Sequence, residues 1–403
     1  MPKIDHKEIG KNLDLFHLEG ASPGVIFWHP KGAILYHQII NDLRDELSKQ
    51  GYQELKTPNV MGLDSFKKSG HFDNYQERLF FAGNKDQIDK KNPRWIVTPM
   101  NCPGTISIYK SQMRSYKDLS LKFSEMGSVY RYEQPGEING LFRCREFIVD
   151  DAHLFCLSSQ VTHEVSELIN FITQYYKKYD FEIDHIELST RPEKSIGTDE
   201  DWEKTEGFLK EALKKAKVDY KLNPGDGAFY GPKIDFHIKD SLGRTWQLGT
   251  IQLDMSTAKR LGAFYIDKDG KKQDPVMIHR AILGSVERFI GILLEHFAAG
   301  LPVWLSPVQV VVASISDKVA DYTKEVYDKL KEKDIRCEID DRDESISKKI
   351  RDAELQKIPY ILVVGEKEKE MKKIAVRDRS GDQGQKDLGK FIKDLSGEIN
   401  SKK

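Results

Sequence analysis

Apolar positions recur at three- and four-residue intervals from Gly32 to Lys49, which predicts an amphipathic helix. A weaker stripe of Ile9, Leu13 and Leu15 predicts a short polar helix within residues 1–20. Tyr52–Thr57 reads as a short strand stopped by Pro58, and Phe66–His71 as the end of a helix closed at Gly70. Residues 83–94 are charged and read as a turn between two strands. Val161–Lys178 has helical periodicity, as do residues 199–217, whose acidic opening at 199–201 complements the positive end of a helix. Strands then follow one another at 228–238, 244–255 and 262–266. Strands in consecutive runs indicate an antiparallel sheet with helices packed on it.

The pattern changes near Pro302–Pro307. Beyond it the periods alternate: strand from Val308, helix Lys318–Lys333, strand Arg336–Ile339, helix Ser345–Gln356, then strands Tyr360–Val364 and Lys373–Arg377. That order predicts an α/β domain with a largely parallel sheet, of about a hundred residues, a usual domain size.

Composition narrows the class. The 403 residues suffice for two or three cored domains. A net charge of −1 supplies no global attraction to nucleic acid, so any basic surface must be local. Four cysteines without Cys-x-x-Cys pairs argue against a disulfide scaffold and suit a reducing cytoplasm. No secretory apolar stretch and no bilayer-length apolar run is present, so no membrane partner is expected.

Three distant segments carry candidate chemistry. Cys102 lies in Met-Asn-Cys-Pro-Gly, His153 in Asp-Asp-Ala-His, and His279 in Met-Ile-His-Arg. A thiolate and two imidazoles are three ligands, the number that leaves a zinc ion one open position. Isolated Cys and His residues also read as packing groups, so the neighbours decide. Arg131 and Glu133 would share one face of a strand. A Gly- and Pro-containing loop follows, and Arg143 returns on a second strand. Guanidiniums on a hairpin match phosphate oxygens in pairs. A solvated surface hairpin accounts poorly for Arg131 and Arg143 among Tyr130, Leu141, Phe142 and Phe147. Arg288 follows Gly284 inside an apolar run, where a cation needs an anionic or aromatic partner; an internal salt bridge, to Glu287 or another carboxylate, is the alternative.

These segments resemble the motifs of class II aminoacyl-tRNA synthetases. Pro58 fits motif 1, Arg131-x-Glu133 with Arg143 and Phe147 fits motif 2, and Gly284-x-x-x-Arg288 fits motif 3. With Ser-Thr-Arg-Pro-Glu-Lys (189–194) and Ala-Phe-Tyr-Gly-Pro-Lys (228–233), the chain is similar to the bacterial-type threonyl-tRNA synthetase family from Gly20 to about Gly381. The resemblance implies an α+β catalytic domain with an antiparallel sheet over 1–302 and an α/β anticodon-binding domain over 303–403. It implies ATP, L-threonine and tRNA(Thr) as partners, Mg2+ with the ATP, and a homodimer formed through motif 1. One zinc on Cys102, His153 and His279 would read the amine and hydroxyl of threonine. Asp151 would accept the substrate hydroxyl, unless it is a structural carboxylate paired with an Arg, and Tyr230 would face the amine. Arg131 would span the carboxylate and α-phosphate, and Glu133 would bind the adenine amino group. Arg143 and Arg288 would hold the γ-phosphate and adenine face. Lys233 and Gln247 are further positions near substrate and nucleotide. His71 matches a family histidine near the terminal ribose, or is a plain helix-end histidine. Glu368 and Arg377 match anticodon readers.

Thr105, Glu146 and Val149 depart from the family pattern near the site, and Asp343 and Lys357 depart from it in the anticodon region. Family members usually carry an editing domain ahead of this point. No segment here reads as a second hydrolytic site, so the chain is expected to misacylate with serine. The metal ligands and the 189–194 and 228–233 segments argue against a sibling that charges proline, serine or histidine. The absence of a His-x-x-x-His helix argues against a zinc hydrolase.

Overall fold

The computed structural model describes residues 5–89 and 93–402. It divides into two compact units. One comprises Leu18–Ile26 and Leu43–Ile292; the other comprises the chain up to His17, Phe27–Asp42, and Leu293 onward. This division falls inside the helix Val286–His296, ten residues before the composition change at Pro302.

The larger unit is built on an eight-stranded sheet. In chain order its strands are β1 (Gln53–Glu54), β2 (Leu121–Tyr130), β3 (Glu146–Cys156), β4 (Glu182–Ser189), β5 (Lys221–Asn223), β6 (Lys233–Lys239), β7 (Thr245–Asp254) and β8 (Val276–Ala281). Their spatial order is β5-β4-β6-β7-β8-β3-β2-β1. The β5–β4 and β2–β1 pairs are parallel and the others antiparallel, as the strand runs predict. Antiparallel pairing sets residues face to face across the central strands: His153 opposite His279, and His279 opposite Gln252.

Strand alternation then assigns each side chain to a face. On β3, Ala152, Leu154 and Cys156 are buried on one face. Asp151, His153 and Phe155 lie on the other, where Phe155 stacks on Tyr109 at 4.3 Å. Tyr109 belongs to the helix Cys102–Lys110, which packs there through Ile106 and Tyr109 against Phe123, Phe155 and Met277. That packing brings the start of the helix, and so Cys102, to the two histidines.

The helix Val161–Lys177 buries Val165, Leu168, Ile169, Ile172 and Tyr176 at helical spacing, and its Tyr176 hydroxyl donates to the Ile282 carbonyl at 2.6 Å. The helix Asp199–Ala216 starts as the acidic run predicts: the Thr198 hydroxyl accepts from Asp201 N at 3.2 Å, with three acids in the first turn.

Several expectations need correction. The strand expected over Tyr52–Thr57 is reduced to a two-residue ladder. Thr57 beyond it is tied by its backbone N–H (2.5 Å) and hydroxyl (2.9 Å) to buried Glu125. The strand expected over 228–238 starts only at Lys233, because 228–231 is a tight turn. There a Cβ on Gly231 would stand 1.7 Å from the Leu253 carbonyl oxygen. Arg131 and Glu133 do not share a strand face, because β2 ends at Tyr130. Glu133 N donates to Arg131 O at 2.8 Å, which turns the chain between them. The charged connection at 83–94 contains a short helix, Lys85–Asp89, and residues 90–92 of that expectation lie outside the described residues.

In the other unit the predicted N-terminal helix covers only His6–Asn12 before a strand at Phe16–Leu18. Its five-stranded sheet comprises β9 (Val310–Ser314), β10 (Cys337–Asp340), β11 (Tyr360–Val364), β12 (Lys373–Asp378) and β13 (Gly381–Asp387), in the order β10-β9-β11-β12-β13. Only β10–β9 and β9–β11 are parallel, so the sheet is mixed, not largely parallel. The reversal comes at β12, which runs antiparallel to both β11 and β13; β13, with the sequence Gly-Asp-Gln-Gly-Gln-Lys-Asp, has no apolar residue and lies exposed at the sheet edge. Val312, Leu362 and Val376 pack with Val326, Leu330, Phe391 and Leu395 of the flanking helices.

Candidate functional site

The strands β2, β3, β6, β7 and β8 form the floor of a cavity of about 850 Å³ in the larger unit. Cys102 opens its helix, followed at the second position by Pro103, which has no N–H to leave unpaired there. The ligand atoms of Cys102, His153 and His279 lie within 4.8 Å of one another, and all three side chains are buried. The two rings meet edge to face at 4.8 Å. His279 Nε2 is 3.1 Å from Asp254 Oδ2, a carboxylate that fixes the ring and leaves its other nitrogen for a ligand. His153 Nε2 is buried with no hydrogen-bond partner among the described residues, and the nearest carboxylate oxygen, on Asp151, is 3.9 Å away.

Burial alone would raise the Cys102 thiol, but His279 and His153 outweigh it and hold the thiol well below its usual range. Burial lowers His279, but Cys102 and Asp254 reverse that and push it up to about 10. Without a metal, the proton on His279 thus compensates the thiolate. A divalent cation would supply the same compensation while requiring the ligands deprotonated. A sulfur and two imidazoles, an orphaned buried nitrogen and the Asp254 carboxylate held against His279 are a set that fits zinc.

Asp151 lies on the same face, its carboxyl raised by burial and lowered in part by His153. Its neighbour Asp150 points to the opposite face, where it accepts from Arg280 Nη1 (2.9 Å), Ile282 N (2.7 Å) and Leu283 N (2.9 Å). This fully buried pair anchors the turn at Gly284, whose φ is +67°, and thereby the start of the helix carrying Arg288. Tyr230 stacks on His279 at 4.9 Å, and its hydroxyl donates to Gln252.

Arg131, Glu133, Arg143, Gln247 and Arg288 all line the cavity, as expected. Arg131 lies 5.3 Å from the Phe147 ring, and its Nε is 3.3 Å from the Pro99 carbonyl. Glu133 is buried between Arg78 and Arg143, accepting from Arg143 Nε at 2.8 Å. Arg143 is therefore paired with a carboxylate here. Arg288 is not: among the described residues no ion pair to it is found, its Nε is buried without a partner, and its guanidinium lies 5.7 Å from the Trp246 ring. Glu287, the salt-bridge partner of the alternative reading, instead accepts from Ile148 N (3.0 Å) and the Ser285 hydroxyl (3.1 Å). Lys233 lines the cavity but is held by Asp226 (2.8 Å) and Asp235 (2.7 Å).

His71 is not among the cavity-lining residues. It is fully buried, its Nδ1 2.7 Å from the Ser69 hydroxyl, with its ring against Phe229 at 5.5 Å and Tyr230 at 6.3 Å. In the other unit, Glu368 accepts from Gly365 N (3.1 Å) and Gln385 Nε2 (2.7 Å), closing the start of a short helix. Arg377 lies 4.0 Å from Glu354. Of the departures, Val149 lines the cavity, Glu146 accepts from the Tyr130 hydroxyl at 2.9 Å, and Thr105 is buried in the Cys102 helix.

Sequence reasoning missed Asp254, Gln252 and Trp246. A signal was present: Thr250, Gln252 and Asp254 alternate with Ile251 and Leu253, which marks a polar sheet face.

Comparison with known proteins agrees with this geometry. The family "tRNA synthetase class II core domain (G, H, P, S and T)" matches residues 85–297, and "Anticodon binding domain" matches residues 309–398. A threonine–tRNA ligase of Caldanaerobacter subterraneus is 50% identical over 401 residues, 99% of this chain. One from Carboxydothermus hydrogenoformans is 48% identical over 402 residues. The chain spans 61% and 62% of the length of these two relatives. The solved RNA-binding domain of threonyl-tRNA synthetase from Cryptosporidium parvum superposes with a TM-score of 0.93 at 40% identity, with 98% of each chain covered. A putative threonyl-tRNA synthetase from Aeropyrum pernix gives a TM-score of 0.83 at 25% identity, covering 99% of this chain and 97% of its own. The chain belongs to the class II aminoacyl-tRNA synthetases, within the threonyl-tRNA synthetase family. Among the described residues no helix is long and apolar enough to cross a membrane.

Proposed function

We propose that this chain activates L-threonine with ATP and transfers it to tRNA(Thr), acting in the cytoplasm. The observation that carries this reading is the convergence of Cys102, His153 and His279 on one another, with Cys102 and His279 lining the cavity beside Asp151 and Tyr230. Those three residues would hold one zinc, which when bound would supply a Lewis acid able to expand to five ligands and so take an amine and a neighbouring hydroxyl together. Asp151 accepts a hydrogen bond from the substrate hydroxyl. Tyr230, fixed by Gln252 and by its stacking on His279, bounds the amine side.

Arg131 lies where the threonine carboxylate meets the α-phosphate of ATP and neutralises charge as it builds on phosphorus. Glu133 takes the adenine amino group, Gln247 supports the nucleotide, and Mg2+ accompanies the phosphates. Arg143 is released from Glu133 as the triphosphate arrives, and it joins Arg288 on the γ-phosphate and adenine face. Lys233, already neutralised by two carboxylates, positions the 226–235 segment. His71 acts from behind Tyr230 on the position of that ring.

Residues 1–302 form the catalytic part of this reading and 303–403 the anticodon part. In the latter, Arg377 reaches the anticodon, and Glu368 holds Gln385 and the 365–371 turn in place. Two copies assemble through the helix Pro30–Lys49 and the segment ending at Pro58; a monomer in sedimentation at micromolar concentration would contradict that assembly. The deciding experiment is ATP–pyrophosphate exchange driven by each standard amino acid in turn. Threonine is expected to give the highest rate. A higher rate with proline, serine or histidine would refute the assignment.

A further inference from the structure

A second histidine–carboxylate group lies in the larger unit, apart from the cavity. His185 and Glu187 project from β4, and His237 from β6 directly opposite His185. None of the three lines the cavity. Their ligand atoms lie within 4.8 Å of one another, the same closeness as in the Cys102 group. His185 Nε2 is 3.0 Å from Glu187 Oε1, and His237 Nε2 is 3.6 Å from Glu187 Oε2. Ligand atoms about 2.1 Å from one tetrahedral zinc stand about 3.4 Å apart, and each nitrogen lies near that distance from one of the two Glu187 oxygens.

Three further observations separate this group from an ordinary surface cluster. His237 Nε2 is buried and has no hydrogen-bond partner among the described residues. His185 Nδ1 is 2.7 Å from Asp184 Oδ2, and the Thr245 hydroxyl in turn lies 3.2 Å from that oxygen. Asn223 Nδ2 donates to Glu187 Oε2 at 3.0 Å. A carboxylate on the far nitrogen of one histidine and an amide on the glutamate are the outer partners that orient metal ligands. The rings stack at 4.3 Å with an interplanar angle of 9°, so an ion shared by both Nε2 atoms requires one ring to tilt toward Glu187 as it binds. Each side chain keeps part of its surface in solvent (17–21%), which leaves room for a water as fourth ligand.

We propose that His185, Glu187 and His237 form a second metal site, for a divalent cation of borderline softness such as Zn2+ or Ni2+. Two imidazoles and one carboxylate suit such ions and disfavour Ca2+ and Mg2+, which prefer all-oxygen shells. Bound metal would clamp β4 to β6 beside the cavity wall. The inference does not depend on the amino acid that the enzyme activates.

The test is metal stoichiometry on the full chain, stripped with chelator and dialysed against low-micromolar zinc. Two equivalents are expected for the unaltered protein, one for His237→Gln, and one for Cys102→Ala. A single equivalent in the unaltered protein, or undiminished metal in His237→Gln, overturns the proposal. Should the variants fold poorly, cobalt(II) titration of the unaltered protein decides. A thiolate-to-cobalt charge-transfer band should saturate at one equivalent while visible d–d absorption grows to two. Joint saturation at one equivalent overturns the proposal.

Discussion

Arg288→Ala separates function from folding more sharply than any other single change here. The guanidinium is desolvated, and burial, with a smaller contribution from nearby Arg143, lowers its pKa from the usual arginine value. Its contact with Trp246 at 5.7 Å is worth about 0.5–1 kcal/mol, and among the described residues no carboxylate offsets its charge. Alanine therefore forfeits that small contact and relieves a partly buried cation, so the melting temperature should stay within a few degrees or rise. The catalytic loss follows from Coulomb's law. A guanidinium about 4 Å from one phosphate charge, at an effective dielectric constant of about 20, contributes roughly 4 kcal/mol. If that attraction is felt fully in the transition state, its loss slows adenylate formation roughly a thousandfold. Threonine-dependent ATP–pyrophosphate exchange, read beside a thermal melt, measures both. An exchange rate within tenfold of the unaltered enzyme would refute the phosphate role. A large drop in melting temperature with matching loss of activity would show that Arg288 is instead a structural cation.

Cys102→Ala should lose the zinc of the cavity site and threonine-dependent exchange together, and full zinc retention there would sink the ligand assignment. Valine lacks the hydroxyl that Asp151 and the metal would read and should be rejected by roughly 10⁴–10⁵, whereas serine lacks one methyl group and should be disfavoured only about 10–200-fold. ATP–pyrophosphate exchange with valine and with serine beside threonine measures both ratios, and a valine rate equal to that of serine would contradict them. Burial raises the Glu287 carboxyl from 4.5 to about 7. The folded state then binds its proton more tightly than the unfolded state, so this group's stabilisation is full below pH about 4.5 and is lost as pH rises through about 7. Glu287→Gln should flatten the slope of unfolding free energy against pH in that window, and an unchanged slope would show the shift to be absent.

Much of the molecule was legible from residue order alone. The helix from Pro30 to Lys49, the capped helix from Asp199 and the strand Tyr360–Val364 follow from period, capping and β-branched runs, which act over a few residues. The grouping of Cys102, His153 and His279 and the cavity arginines Arg131, Arg143 and Arg288 were legible because each sits in a short segment with distinctive neighbours. Strand β13 was not, because an exposed edge strand buries nothing and so leaves no apolar period. Tertiary structure alone decided that Glu133 is occupied by Arg78 and Arg143, that His71 lies behind Tyr230, and that Asp254 orients His279. It also set His185 against His237 across two strands 52 positions apart in sequence. Such pairings depend on strand register and on the angle at which a helix meets the sheet. Those are properties of the packed core as a whole, and no local run of residues encodes them.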